Sequence, residues 1–193
     1  MRQSLPLILG YDRWLLVDQT SGRRDMSVLV PRSYVAIAYY LQTFGVDLNV
    51  KTVSIPDTND SVELFIYDSS GQEFYNDWLS RYWHEVNILM VVCDVTSELS
   101  LNSVSQWVAL VHNSLPDKAA STTPGVLFGN KTDLVDRRVV SPKAGSALAE
   151  KLGLVYFEGS AKENQGIEEP FFLLAHEWHK LYNEKKSSFD LIA

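Results

Sequence analysis

The sequence predicts an α/β fold: a single domain built on a mostly parallel sheet with one antiparallel strand and helices on both faces. Three observations carry that prediction. Near-alternating β-branched residues in "VDLNVKTVSI", a turn at "DTND" and a second such stretch, "SVELFIYD", form a hairpin over residues 46–68. Two continuous apolar runs, "NILMVVCDV" and "PGVLFGN", have the composition of strands buried on both faces. Segments of helical periodicity alternate with these runs, and a hairpin followed by strand-helix alternation is the pattern of a sheet covered on both sides.

Taken in order after the hairpin, Phe74 to Trp83 reads as a ragged helix, and "NILMVVCDV" as a central parallel strand. Ser97 is placed to cap the next helix, in which Leu101, Val104, Trp107, Val108 and Val111 recur at helical spacing. "PGVLFGN" is the next buried strand. Ser141 and Pro142 form a cap and first-turn pair ahead of "KAGSALAEKLG", with Gly153 as its stop, and "LVYFEGS" is the last strand. Pro170 opens the final helix, where Phe171, Leu174, Ala175, Trp178 and Leu181 share one face. Glu177, Lys180, Glu184 and Lys185 lie mostly off it.

Composition narrows the function classes. The 193 residues suit one domain, and 46% apolar with 21% charged residues is the balance of a globular chain. A net charge of -7 argues against nucleic acid or anionic lipid as the main partner. Cys93 is the single cysteine and sits in an apolar run, so it reads as a buried, reduced thiol in a cytosolic protein. No apolar run has the length of a membrane span, and "SSFDLIA" offers no cysteine for prenylation, so no direct membrane anchor is expected. His176 and His179 lack carboxylate or cysteine companions and read as surface or partner-facing residues, not as a metal site.

Chemistry in such sheets gathers beyond the carboxyl ends of the strands. Three polar stretches follow three successive candidate strands: "DSSGQE" at 68–73, "GNKTD" at 129–133 and "GSAK" at 159–162. Each alone is ordinary turn chemistry. As an ordered set they resemble the Ras-type small GTPases, which implies a P-loop-NTPase (Ras-like) fold and GTP or GDP with magnesium as ligand. By that resemblance, Asp133 reads the guanine base, because a carboxylate accepts from both the N1-H and the exocyclic amine, a pattern adenine lacks. The stem of Lys131 covers the ring, Asn130 ties neighbouring loops, and the Ala161 N–H reaches the guanine carbonyl, with Ser160 and Lys162 in support. The resemblance further implies that Asp68 and Thr43 serve the magnesium ion. The Gly71 N–H then points at the terminal phosphate, and Gln72 orients the attacking water.

"VKTVSIPDTNDSVELFIYDSSG", "GVLFGNKTDL" and "EEPFFLLAHEWHKLYNEKKSSF" narrow the likeness to the Rab-like branch tied to intraflagellar transport. That branch implies a subunit of the transport B complex, in the cytoplasm and the cilium or flagellum. Its partners would be a small β-sandwich protein and other B-complex subunits. The likeness covers a Rab-like domain at 43–186 with a short tail at 187–193, and leaves 1–42 as an atypical N-terminal segment.

In that segment the phosphate loop is degraded. "LILGYDRWLL" has Leu15 and Leu16 where glycine and lysine belong. "VDQTSGRR" does better, with Gly22 in the second glycine position, yet Val17 replaces the first glycine, Arg23 the lysine and Arg24 the magnesium-binding hydroxyl. A β-branched residue resists a tight turn, and a planar guanidinium does not copy a compact ammonium. Pro31 falls inside the helix that should follow. Weak nucleotide binding and little or no GTP hydrolysis are expected; the alternative is a working GTP-binding and GTP-hydrolysing switch. The branch also needs a first strand between the third and fourth, and "RWLLV" is the candidate.

Overall fold

A computed structural model describes residues 7–18, 46–70, 76–83, 86–115 and 123–190. Its sheet is organised around β4 (Val86–Asp94), whose side chains divide by parity from Ile88 to Cys93. Ile88, Met90 and Val92 enter one apolar cluster. Leu89, Val91 and Cys93 enter the other. A strand sandwiched this way has no polar face to show, which is why its sequence is an unbroken apolar run. Each fully buried Ile, Leu or Val contributes roughly 1.5–3 kcal/mol relative to exposure, so β4 alone anchors much of the core.

Beside β4 runs β1 (Leu7–Asp18), parallel both to it and to β3 (Asp60–Ser70). Trp14 lies level with Ile66 and Ile88, and Val17 level with Ser69 and Val91. The "RWLLV" stretch thus fills the central place expected of it. β2 (Val46–Ser54) is the antiparallel partner of β3, and β5 (Gly125–Asn130) and β6 (Val155–Glu158) continue the parallel side. Among the described residues the order is β2-β3-β1-β4-β5-β6. β3 continues two residues beyond Asp68, because Ser69 and Ser70 stay paired with Val17 and Asp18.

Helices cover both faces. On one lie α1 (Asn76–Trp83), α2 (Glu98–Ser114) and α3 (Pro142–Lys151), which contribute Leu79 and Trp83, then Val104, Trp107, Val108 and Val111, then Ala149. On the other lies α4 (Glu168–Asp190), which buries Phe171, Leu174, Ala175 and Trp178. The Ser97 and Ser141 hydroxyls cap α2 and α3 by accepting from Ser100 N and Ala144 N at 3.3 and 3.2 Å. Gly153, at φ +71, follows α3 in the left-handed region that favours glycine.

Two expectations change. α4 begins at Glu168, two residues ahead of Pro170, since a proline in the first turn forfeits no helical hydrogen bond. Glu168 is also held there by Lys51 of β2, at 2.9 Å. His179 is not a surface residue: it is 8% exposed, and its Nε2 lies 2.9 Å from Asp60 Oδ2 at the mouth of the β2-β3 hairpin. The inward stripe of α4 simply runs one residue wider than its apolar members. His176 is exposed. Among the described residues no group of three or more His, Cys, Asp or Glu gathers as for a metal ion, and no helix is long and apolar enough to cross a membrane.

Candidate nucleotide site

The five parallel strands end along one edge. Cross-strand register sets Asp68 of β3 against Leu16 of β1, and Asp94 of β4 against Asn130 of β5. Gly129 of β5 lies level with Glu158 of β6. Two loops leave this edge side by side, 131–134 after β5 and 159–166 after β6, and they are joined before any ligand is considered.

Asn130 makes the first join. It is 1% exposed, and its Oδ1 accepts from Lys131 N at 2.7 Å and from Ala161 N at 3.0 Å, so one side chain spans both loops. Its Nδ2 is buried and has no hydrogen-bond partner. An orphaned buried donor of this kind costs about 1–3 kcal/mol, which suits a group that awaits an acceptor. The Ala161 N–H, expected to be free for a base, is engaged by Asn130.

The second join is Ser160, fully buried, whose Oγ donates to Asp133 Oδ1 at 2.6 Å and accepts from Glu163 N at 3.1 Å. Lys162 Nζ stands 3.8 Å from Asp133 Oδ2. The Asp133 side chain is 11% exposed, so its carboxylate is largely removed from water yet fixed in direction. Backbone bonds complete the pairing: Thr132 N donates to Gly159 O at 3.1 Å and Gly159 N to Gly129 O at 3.0 Å. A Cβ on Gly159 would sit 2.2 Å from Gln165 O, so this close return of the loop requires glycine.

Lys131 adopts a left-handed φ of +71, uncommon outside glycine. Its ammonium donates to Asp94 Oδ2 at 2.7 Å. Asp94 is held from the other side by Thr96, whose N–H and Oγ1 donate to Oδ1 at 2.8 and 2.6 Å. Burial works to raise the Asp94 carboxyl, but the Lys131 ammonium and the Thr96 donors prevail and hold it below its ordinary value. Behind both loops, Arg138 grips Glu158 through two parallel bonds of 2.8 and 2.9 Å, and Tyr156 Oη donates to the same carboxylate at 2.7 Å.

Of the residues singled out in the sequence, Asn130, Lys131, Asp133, Ser160 and Ala161 are brought together by hydrogen bonds at the two loops, and Lys162 stands at ion-pair distance from Asp133. Asp68 stands apart from that cluster, 5% exposed, on the same edge beside β1. Gly22, Thr43, Gly71 and Gln72 lie outside the described residues, as do Arg23 and Arg24. Asp94, Thr96, Arg138, Tyr156 and Glu158 were missed. The signal for the first two was present in "CDVTS", a carboxylate and a hydroxyl directly after the most buried strand.

This edge, with its paired loops after the last two strands, defines a Ras-type nucleotide-binding fold. The Ras family model matches residues 30–180, and the chain belongs to that family. Within it the chain is Rab-like. It is 47% identical over 153 residues to the Intraflagellar transport protein 27 homolog of Bos taurus, covering 79% of this chain and 81% of the relative. The Intraflagellar transport protein 27 homolog of Homo sapiens is 46% identical over 154 residues, covering 80% and 81%. Ras-related protein RABD1 of Arabidopsis thaliana is 31% identical over 166 residues, covering 86% and 78%.

Proposed function

We propose that this chain is a Rab-like subunit of the intraflagellar transport B complex, acting in ciliary cargo transport. In this reading it keeps a preformed guanine-recognition end and has lost most of its phosphate loop. The observation that carries the guanine end is the closure of the two loops through Asn130 and the Ser160–Asp133 bond, and the transport role is supported by the likeness to the Intraflagellar transport protein 27 homologs. A guanine base fits that donor and acceptor set. Asp133 has acceptor capacity left for the N1-H and the exocyclic amine, and the buried Asn130 Nδ2 supplies a donor that lacks an acceptor.

Each residue then has a task. Asp133 selects guanine, Ser160 and Lys162 hold Asp133 in direction, Lys131 covers the ring, and Ala161 shares its N–H between Asn130 and the base carbonyl. Magnesium, when it accompanies the nucleotide, neutralises phosphate charge, with Asp68 and Thr43 as the residues to hold it. Val17, Arg23 and Arg24 leave the phosphates without the lysine and hydroxyl that the family uses. Two lost charge-assisted contacts weaken binding by roughly a hundredfold or more. The chain therefore works through protein contacts, with a small β-sandwich partner seated on the exposed side of the far half of α4, where Glu184, Lys185 and Lys186 face solvent.

The test is titration of the purified chain with a fluorescent guanine nucleotide, with and without magnesium. Weak binding, indifferent to magnesium and lost with an adenine nucleotide, is the expected result. Micromolar or tighter magnesium-dependent binding overturns the degraded loop and makes the chain a switch, with Gln72 orienting water. Assembly with transport-complex subunits should survive removal of nucleotide and magnesium.

A further inference from the structure

The Asp94–Lys131 pair has no part in joining the two loops, yet it is a short and well-supported ion pair of the edge. Asp94 is 4% exposed and Lys131's side chain 18% exposed. Three donors converge on the Asp94 carboxylate: Lys131 Nζ, Thr96 N and Thr96 Oγ1. A fourth bond, from Asp94 N to Ser100 Oγ at 2.9 Å, ties the aspartate's backbone to the first turn of α2. The aspartate is therefore built into the rigid core of the fold, while the lysine starts a loop.

From these contacts we infer that Asp94 is a positioning residue for base binding, acting through Lys131; the inference rests on the guanine reading above. A lysine stem has four rotatable bonds, and ordering it against a base costs conformational entropy. Pinning its ammonium to a core carboxylate removes that cost in advance. It also fixes the course of the methylenes between the end of β5 and the end of β4, which are neighbours at Asp94 and Asn130. The pin further balances the left-handed backbone at Lys131, a conformation that persists only where its surroundings hold it. The stem is then an apolar cover of defined direction, its charge satisfied by protein and not by ligand.

A double-mutant cycle tests this with GDP affinity as the readout. Asp94→Asn keeps the shape and the Ser100 bond but releases the ammonium, and should weaken GDP binding roughly five- to tenfold. In a Lys131→Met background, which keeps an apolar stem without a charge to pin, the same Asp94→Asn change should weaken it less than twofold. Equal losses in both backgrounds overturn the inference, since a purely architectural aspartate would act regardless of residue 131. Thr96→Val, a milder variant that loosens the carboxylate, should show the same dependence on Lys131 at smaller size. Lysine side-chain NMR of the nucleotide-free chain gives a separate readout: Asp94→Asn should move the Lys131 signal and leave other lysines in place, and an unmoved signal also overturns the inference. If the unaltered chain binds no guanine nucleotide, the reading under Proposed function fails, which is distinct from either result.

Discussion

Two regions of the sheet's carboxyl edge, the β5-β6 end and the β1 stretch between β3 and β4, differ in what their sequences hold. At the β5-β6 end, short loops are cross-linked by Asn130, Ser160 and Asp133, and Arg138 of the following loop braces them with Glu158 and Tyr156 of β6. In the β1 region the strand is kept in register on both sides, with Val17 and Asp18 carried to the edge beside Ser69, Ser70, Val91 and Val92. There the strand keeps its pairing, and in the proposed reading the sequence that follows it, with Gly22, Arg23 and Arg24, is a degraded phosphate loop. A β-sheet position asks only for pairing and apolar side chains, so many sequences satisfy it; a phosphate loop asks for particular atoms, and few do.

The largest effect belongs to the intact end. Asp133→Asn sets an amide N–H against a guanine donor and removes a charge, so guanine nucleotide affinity should fall roughly a hundredfold or more. Xanthine nucleotides, which present an acceptor where guanine has an amine, should then be preferred. Competition binding with the two nucleotides reads this directly, and unchanged preference would erase the contrast between the regions.

A repair of the other region comes next. Val17→Gly, Arg23→Lys and Arg24→Ser together restore the spacing the family uses, and should raise GDP affinity roughly tenfold or more with new magnesium dependence. The gain is smaller than the Asp133 loss because glycine at Val17 weakens a strand that pairs on both edges. A repaired chain that binds no better would mean that "VDQTSGRR" does not stand in the phosphate loop's place.

Most of the scaffold was readable because local pattern and tertiary role agree. The parity of β4, the serine caps of α2 and α3 and the stripe of α4 are short-range features. The two loops after β5 and β6 were readable for the same reason, each as a few adjacent residues after a strand. What escaped was long in sequence and short in space. Asp60 meets His179 across 119 positions, and Asp94 meets Lys131 across 37. A histidine three residues from another on a helix carries no mark of a partner in a distant hairpin. Nor does "CDVTS" announce whose ammonium it holds.

Gly145 sharpens the account of how the intact end is braced. It lies in α3, where alanine would ordinarily gain about 1 kcal/mol in helix propensity. Here an added Cβ would stand 2.2 Å from Tyr156 Cζ, and Tyr156 Oη is also against Gly129. Withdrawing the ring would pull its hydroxyl away from Glu158, with which it bonds at 2.7 Å. Gly145→Ala should therefore destabilise by about 1–3 kcal/mol, lowering Tm by several degrees in a thermal melt. A stabilised variant would show that the ring can move and that the brace is loose.

The smallest effect is the acid response of that brace. Burial works to raise the Glu158 carboxyl, but the bonds from Arg138 and Tyr156 prevail, and it lies below its ordinary value of 4.5 in the folded chain. A carboxyl lowered on folding binds fewer protons in the native state than in the unfolded one. Its contribution is thus complete above the unfolded value and is lost as the pH falls through the folded one. Denaturant melts should show stability declining below about pH 4.5, the ordinary value of Glu158. Arg138→Met should flatten the part of that slope due to Glu158, since removing the guanidinium leaves the carboxyl with only Tyr156 to hold it down. Asp94 titrates in the same direction, so the slope in the Arg138→Met variant is reduced but not abolished. An unchanged slope would remove Glu158 from the acid response and leave Asp94 as its source at this end of the sheet.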